Sequence, residues 1–168
     1  LRRPDRSPDW PAGVVGSLSH SKRLAVALVA EHPPWRAVGV DVEPYERTMS
    51  TGARGTLFRD DEPWSPTRDA AFREADPDPA AFERHLARAM HAFCAKEATY
   101  KAFSHWTGRV FGFQDVRLAE EGEDFAAEAV DPRLRADLAP HLGPSPRWVV
   151  RTARAGGHCA AWVLVEGG

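Results

Sequence analysis

The feature that most constrains the fold is a long helical pattern near the middle of the chain. The stretch "DPDPAAFERHLARAMHAFCAKEATYKAFSHW" contains Asp78, a good helix-capping residue, followed by Pro79, which suits the first helical position. Apolar residues then recur at steps of three and four, at Phe82, Leu86, Met90 and Phe93. This spacing is typical of one buried helix face. We therefore predict one long helix that ends at "TGR" (107–109).

Strand-like runs lie on both sides of this helix. The predicted strands are 13–21, 23–30, 36–44, 111–119, 124–130, 147–154 and 158–165. We expect the first three to form a meander and the last two to form a hairpin over "AGG" (155–157). Short helices are predicted around 56–63 and 68–75, and residues 131–143 are expected to be a loop or a short helix. Strands, a long helix and then more strands indicate an α+β fold.

The composition narrows the class of protein. At 168 residues the chain is long enough for one domain or two small lobes. Its formal net charge of −2 gives no overall positive field, so we expect no nucleic-acid partner. The longest apolar run, at 159–165, is too short to cross a bilayer, and no signal-peptide pattern is apparent. We therefore expect no membrane partner. A cytoplasmic location and a monomer are further expectations, and the sequence leaves the oligomeric state open.

The cysteines and histidines show no metal-binding spacing. Cys94 and Cys159 belong to no CxxC or Cys/His zinc pattern. Both lie in apolar surroundings, so we predict buried thiols, as in a reducing compartment. The histidines form no HExxH motif, and zinc is not expected.

Two acidic residues, Asp41 and Glu43, stand two positions apart in a predicted strand. Their side chains therefore share one face, while Val42 points to the other. Carboxylates this close repel unless a cation lies between them, and Mg²⁺ binds one or two carboxylates together with phosphate oxygens. An exposed strand edge with two acids is the simpler alternative. Gly39, on the same face, would let a backbone or a ligand approach closely.

A charged pair, Glu97 and Lys101, lies one turn apart in the predicted long helix. A solvent-exposed pair of this kind contributes only about 0.2–0.5 kcal/mol to helix stability. However, Phe93, Tyr100 and Phe103 surround the pair in sequence, which suggests a partly desolvated groove. In such a groove the carboxylate would be suited to act as a metal ligand or base, and the lysine to bind phosphate.

The segment "SLSHS" (17–21) places Ser19 and His20 next to each other at a strand end. Adjacent strand residues face opposite sides, so they make a poor nucleophile–base pair, and the GxSxG motif is absent. Gly13 and Gly16 are too sparse for a phosphate-binding P-loop. His20 is either a structural histidine or a residue that binds an anionic ligand.

Three stretches, "WPAGVVGSLSHS", "AVGVDVEP" and "FCAKEATYKAF", occur in this order. Together they resemble the 4′-phosphopantetheinyl transferases of the enterobactin/surfactin class, especially the actinobacterial branch. The resemblance covers about residues 6–118. It implies an α+β fold of two pseudo-symmetric lobes, with a first lobe at 1–45, truncated at its N-terminus, and a second lobe at 46–168.

The resemblance also implies an activity and a metal site. Proteins of this family transfer the phosphopantetheine arm of coenzyme A to a serine of an acyl or peptidyl carrier protein and release 3′,5′-ADP. The resemblance implies that Asp41, Glu43 and Glu97 bind Mg²⁺. It further implies that Glu97 is the catalytic base and that Lys101 contacts the coenzyme A phosphates.

The remaining implied roles concern coenzyme A, the co-substrate. The resemblance places His20 at the 3′-phosphate and Ser19 beside the pyrophosphate, and it adds Lys96 and Arg6 as coenzyme A-binding residues. Asp41 and Lys101 complete this implied set.

Other functions remain open at this point. One is a non-catalytic module that binds coenzyme A or another protein. Another is a structural domain in which the three motifs coincide by chance. A general Mg²⁺ phosphohydrolase is disfavoured, because the Walker and DxD patterns are missing.

Overall fold

The computed structural model describes residues 8–45 and 49–167. The strands are β1 (Val14–His20), β2 (Ala25–Glu31), β3 (Trp35–Pro44), β4 (Val116–Glu121), β5 (Asp124–Ala129), β6 (Arg147–Ala155) and β7 (His158–Glu166). The α-helices are α1 (Thr51–Leu57), α2 (Asp69–Ala75), α3 (Pro79–Thr107) and α4 (Pro132–Leu142), with 3₁₀ turns at Pro66–Arg68 and Phe113–Asp115. The predicted α+β class is confirmed. The predicted helix at 56–63 was placed too late, since α1 occupies 51–57.

The main sheet has five antiparallel strands in the order β3-β7-β6-β5-β4, and β1 and β2 form a separate hairpin. The predicted hairpin of β6 and β7 is confirmed. The predicted meander of the first three strands is wrong, because the backbone of β3 pairs with β7 rather than with β2. In this register Glu43 lies opposite Cys159 and Asp41 lies opposite Ala161. The lobe boundary near residue 45 stays a prediction.

Helix α3 follows the predicted course. The Asp78 carboxylate accepts a hydrogen bond from the Ala80 backbone N–H at 2.9 Å, and Pro79 occupies the first turn. The helix ends at Gly108, whose φ of 61° is the left-handed conformation that glycine adopts without strain. Small residues form much of its buried face, namely Ala89, Ala92, Ala95, Ala98 and Ala102. The helix backbone can therefore approach the sheet closely.

Gly39 on β3 is where this approach is tightest. A Cβ atom at Gly39 would lie 1.9 Å from the carbonyl oxygen of Ala98 and 2.8 Å from the backbone nitrogen of Ala102. Only glycine fits this contact. Because side chains alternate along a strand, the next residues on the same face of β3 are Asp41 and Glu43, which are thereby turned toward α3.

Strand β1 lies beside the free edge of β3 and contacts it through side chains. The Ser17 hydroxyl oxygen accepts the Val40 N–H at 3.0 Å, and the Ser19 hydroxyl oxygen accepts the Val42 N–H at 3.2 Å. Two serines thus satisfy backbone donors that a strand edge would otherwise leave unpaired.

The core lies between α3 and the five-stranded sheet. Trp64, Phe103 and Phe125 are fully buried there, together with the two cysteines, whose free thiols have their sulfur atoms 3.4 Å apart. The prediction of buried thiols is confirmed. Within residues 8–45 and 49–167, no helix is both long and apolar enough to cross a membrane.

Candidate functional site

The buried carboxylate of Asp41 is the centre of the site. Its side chain, on β3, is turned toward α3, and the residue is only 4% exposed. The Oδ1 atom accepts two hydrogen bonds, from the Ser19 hydroxyl at 2.7 Å and from the Lys101 ammonium at 2.7 Å. The Oδ2 atom is buried and has no hydrogen-bond partner among the described residues. A buried carboxylate oxygen without a partner is costly, so Oδ2 is suited to a ligand that supplies positive charge.

Ser19 holds this carboxylate in place. Its hydroxyl accepts the Val42 N–H and donates its only proton to Asp41. Ser17, two residues earlier on the same face of β1, accepts the Val40 N–H in the same way. The structure therefore places Ser19 against the carboxylate of Asp41. The predicted contact of Ser19 with pyrophosphate would need a different hydroxyl orientation.

His20 projects from the opposite face of β1 and is exposed. The next residue, Ser21, is hydrogen-bonded to His158 Nε2 at 3.0 Å, which ties this end of β1 to β7. His20 is thus near the end of β3 that carries Glu43 but does not share the buried face of Ser19. The predicted role of His20 stays a prediction.

Lys101 reaches from α3 to β3. Besides Asp41, its ammonium contacts the Val40 carbonyl oxygen at 3.3 Å, and its side chain is 27% exposed. A partly exposed ammonium keeps access to a ligand while it offsets the charge of Asp41.

Glu97 lies one turn before Lys101 on the same helix and is half-buried. Burial is the largest cause that raises its pKa above the ordinary value; the negative charges of Asp41 and Glu43 raise it further, and Lys101 opposes them. The three carboxylates predicted to bind a metal therefore lie close enough for two of them to perturb the third, although they come from a strand and a distant helix.

These three carboxylates are not drawn together into a ligand shell. In the part of the chain that the structure describes, no three side chains of His, Cys, Asp or Glu converge as metal ligands. The residues nevertheless fit Mg²⁺ chemically, because the donor set is made of oxygens and Asp41 leaves one buried oxygen unpaired. A cation would also relieve the repulsion that raises the pKa of Glu97.

Lys96 does not lie in this cluster. Its ammonium is fully buried and donates to Glu62 Oε2 at 2.8 Å and to the carbonyl oxygens of Phe113 at 2.9 Å and Val116 at 2.8 Å. All three ammonium protons are used, so this geometry does not support the predicted contact between Lys96 and coenzyme A.

The partner of Lys96 is Glu62, which the sequence analysis did not identify as a buried residue. Its carboxylate also accepts the backbone N–H groups of Arg59 at 2.8 Å and Leu118 at 2.8 Å. Glu62 follows two aspartates in an irregular loop, and no periodicity marks it as buried. Arg6, the remaining predicted coenzyme A-binding residue, lies outside the described residues.

Comparison with known proteins identifies the family. Residues 1–30 match the 4′-phosphopantetheinyl transferase N-terminal domain, and residues 37–136 match the 4′-phosphopantetheinyl transferase superfamily. The second match alone covers more than half of the chain. It includes Asp41 on β3 and all of α3, which carries Glu97.

Individual relatives agree with this match. The 4′-phosphopantetheinyl transferase Npt of Nocardia iowensis is 33% identical over 155 residues, which are 86% of this chain and 63% of Npt. The 4′-phosphopantetheinyl transferase PptT of Mycobacterium tuberculosis is 34% identical over 114 residues, which are 68% of this chain and 44% of PptT. Enterobactin synthase component D of Salmonella typhi is 33% identical over 100 residues, which are 59% of this chain and 36% of that protein.

The chain thus spans less than two thirds of the length of each of these relatives. The family resemblance predicted from the three motifs is confirmed. By the extent of the superfamily match, this chain belongs to the 4′-phosphopantetheinyl transferase superfamily.

Proposed function

We propose that the chain transfers the 4′-phosphopantetheine arm of coenzyme A to a serine of an acyl or peptidyl carrier protein, with release of 3′,5′-ADP. The observation that carries this proposal is the environment of Asp41. Its buried carboxylate is held through one oxygen and left unpaired at the other, beside Glu97 and Lys101, in a chain of this family. Such an arrangement supports a site for a cation and a diphosphate.

The metal in this proposal is Mg²⁺, and the residues that would hold it are Asp41, Glu43 and Glu97. When bound, Mg²⁺ offsets the negative charge on the phosphoryl oxygens. Ser19 has a positioning role, because its hydrogen bond fixes Asp41 with Oδ2 left available. Lys101 balances the charge of Asp41 and, being partly exposed, is placed to bind a phosphate of coenzyme A.

Glu97 is the proposed base. Burial is the largest cause that raises its pKa, and burial persists when a cation offsets the neighbouring acids. A carboxylate that is partly withdrawn from water is a better proton acceptor near neutral pH than an exposed one. A Glu97 oxygen would take the proton from the hydroxyl of the carrier serine. The serine oxygen would then bond to the phosphorus that carries the pantetheine arm, and the bond from that phosphorus to the departing 3′,5′-ADP would break.

Two further contacts with coenzyme A are proposed, at His20 and at Arg6. His20 is exposed at the end of β1 and is proposed to bind the 3′-phosphate. Arg6 stays a proposed coenzyme A contact on the resemblance alone. Lys96 is assigned a structural role instead, because its ammonium is fully used inside the core.

Intact-mass spectrometry of an apo-carrier protein tests the function directly. The carrier is incubated with this chain, coenzyme A and Mg²⁺, and we expect its mass to increase by that of the phosphopantetheine arm. The increase should be absent when EDTA is added and when Asp41→Asn replaces the wild-type chain. An unmodified carrier together with measurable coenzyme A binding would favour the non-catalytic module instead; no feature of the site favours that alternative at present.

A further inference from the structure

Two free thiols meet beside the proposed metal site. Cys94 lies on α3 and Cys159 on β7, and their sulfur atoms are 3.4 Å apart. Both residues are 0% exposed, and they are the two cysteines of the chain. The chemistry proposed above gives neither thiol a role.

The thiols share a layer of the structure with the carboxylates. Cys159 is the register partner of Glu43 across the β3–β7 pair, so the two side chains point to the same face of the sheet. The Cys159 thiol also contacts the Glu43 carbonyl oxygen at 3.5 Å. Cys94 precedes Glu97 by three residues, which is about one turn of α3. A change in how the two sulfur atoms meet would therefore act on both elements that carry the carboxylates.

Packing alone does not require sulfur to lie against sulfur. A buried cysteine behaves as a small apolar side chain, and alanines fill the neighbouring buried positions of α3, at Ala92, Ala95 and Ala98. Here two cysteines that are 65 residues apart contact each other instead. A disulfide bond is about 2.0 Å long, so the sulfur atoms need to approach by roughly 1.4 Å to form one.

We propose that Cys94 and Cys159 form a reversible disulfide, and that this bond weakens the metal site. The oxidant is hydrogen peroxide. One thiol sulfur bonds to a peroxide oxygen, the O–O bond breaks, and a sulfenic acid and one water form. The second thiol sulfur then bonds to the sulfenic sulfur, the S–O bond breaks, and a second water leaves with the thiol proton. Two electrons pass from the thiols to the peroxide, and a dithiol reverses the bond by exchange.

The burial of the pair favours a small oxidant. Glu43 and Glu97, beside the thiols, are half-buried and therefore reach solvent. Hydrogen peroxide is little larger than water and needs only a small opening along this side. The second thiol is already in contact when the first is oxidised, so the sulfenic acid is trapped as the disulfide. A bulky disulfide reagent, in contrast, has no path to either sulfur in the folded chain.

The bond is expected to displace Glu97. Drawing Cys94 toward β7 shifts the helical turn that carries Glu97, because α3 has no spare room against β3 at Gly39. The distance from Glu97 to Glu43 then changes, and the three carboxylates are less able to hold one cation. The inference rests on the proposed function in this step, since the metal site is the one proposed there.

Mass spectrometry on the whole chain tests whether the disulfide forms. The reduced chain is treated with hydrogen peroxide, the peroxide is removed, and the protein is unfolded in iodoacetamide. We expect two alkyl groups on the untreated chain, one for each cysteine, and none on the treated chain. Before alkylation the treated chain should be lighter by about 2 Da, the mass of two hydrogen atoms. Dithiothreitol should restore both alkylation sites.

Calorimetric titration of Mg²⁺ with coenzyme A then tests the effect on the site. We expect peroxide to weaken Mg²⁺ binding to the wild type at least threefold, with recovery in dithiothreitol. The matched control is Cys94→Ala with Cys159→Ala, whose Mg²⁺ affinity should change less than twofold on peroxide treatment. This variant retains Met49 and Met90, so methionine oxidation cannot account for a difference from the wild type.

Three outcomes would overturn the proposal. They are two free thiols after peroxide treatment, oxidation to a sulfinic acid with a gain of about 32 Da and no disulfide, and a disulfide that leaves Mg²⁺ affinity unchanged. If the reduced wild type binds no Mg²⁺, the metal site of the proposed function fails. The alkylation result still decides in that case whether the disulfide forms, because it involves no metal.

Discussion

At the residue scale, the two oxygens of Asp41 have different environments. One accepts hydrogen bonds from Ser19 and Lys101, and the other is buried and unpaired among the described residues. A hydrogen bond to a charged group contributes roughly 1.5–3 kcal/mol when it is well formed. Two such bonds on Oδ1 can fix the carboxylate orientation before any ligand arrives, so that less ordering is needed on binding.

Ser17 and Ser19 provide a matched pair of variants. Both hydroxyls accept a backbone N–H of β3, but only that of Ser19 donates to Asp41. Ser19→Ala is therefore expected to weaken Mg²⁺ binding by roughly tenfold, and Ser17→Ala by less than twofold. Ser19→Ala should also lose more stability, because it alone removes a hydrogen bond to a buried carboxylate. Calorimetric titration of Mg²⁺ in the presence of coenzyme A measures the difference. Ser19→Thr, which keeps a hydroxyl, should recover much of the affinity. Equal Mg²⁺ affinity in the two alanine variants would remove the positioning role of Ser19.

The raised pKa of Glu97 predicts a pH dependence of stability in the metal-free protein. Below the pKa of the unfolded chain, about 4.3, the group is protonated in both states and costs nothing. As pH rises through the higher folded-state pKa, ionisation is harder in the folded protein, and stability is lost. In EDTA at pH 7, Glu97→Gln should therefore have a higher Tm than the wild type. This difference in Tm should disappear near pH 4.

Thermal unfolding at several pH values measures this effect. Glu74→Gln, which neutralises an exposed glutamate of α2, is the charge-matched control and should follow the wild type. Addition of Mg²⁺ and coenzyme A should stabilise the wild type more than Glu97→Gln. If the wild type were more stable than Glu97→Gln at pH 7 in EDTA, ionised Glu97 would not destabilise the folded protein, and the prediction would be wrong.

At the scale of secondary-structure elements, the site depends on close contact between β3 and α3. Gly39 touches the helix backbone, and the carboxylates that follow on its face come from β3, whereas Glu97 and Lys101 come from α3. The separation of these two elements therefore sets the distances between the carboxylates.

Gly39→Ala tests this contact. The added methyl would meet the backbone of Ala98 and Ala102, which cannot move aside as a side chain can, so strand and helix must separate. We expect a loss of about 1–3 kcal/mol in the free energy of unfolding and weaker Mg²⁺ binding. Gly52→Ala, in α1, meets no atom within 4 Å and is expected to be neutral or slightly stabilising. Urea unfolding compares the two; a Gly39→Ala variant as stable as Gly52→Ala would contradict the close packing.

Local sequence pattern predicted the elements better than their pairing. The period of Phe82, Leu86 and Met90 and the cap at Asp78 located α3, because both signals are local. The pairing of β3 with β7 could not be read in this way, since the partner strand begins more than 110 residues later. An antiparallel neighbour for β3 was available both in β2 and in β7, and local pattern does not distinguish them.

At the scale of the whole molecule, the three motifs are brought to one place. Ser19 from β1, Asp41 from β3 and Lys101 from α3 are joined by hydrogen bonds. The resemblance carried by the three motifs predicted these residues at one site but did not predict the hydrogen bonds between them. The resemblance placed Lys96 at coenzyme A, whereas in the structure this lysine points into the core and its ammonium pairs with Glu62. Its buried partner, Glu62, became apparent only in the folded structure.

The central claim is that acids from β3 and α3 hold one cation in common. Calorimetric titration of Mg²⁺ into the chain with coenzyme A tests it most directly. We predict one Mg²⁺ per wild-type chain and its loss both in Asp41→Asn and in Glu97→Gln. Undiminished Mg²⁺ binding in either variant would contradict the claim.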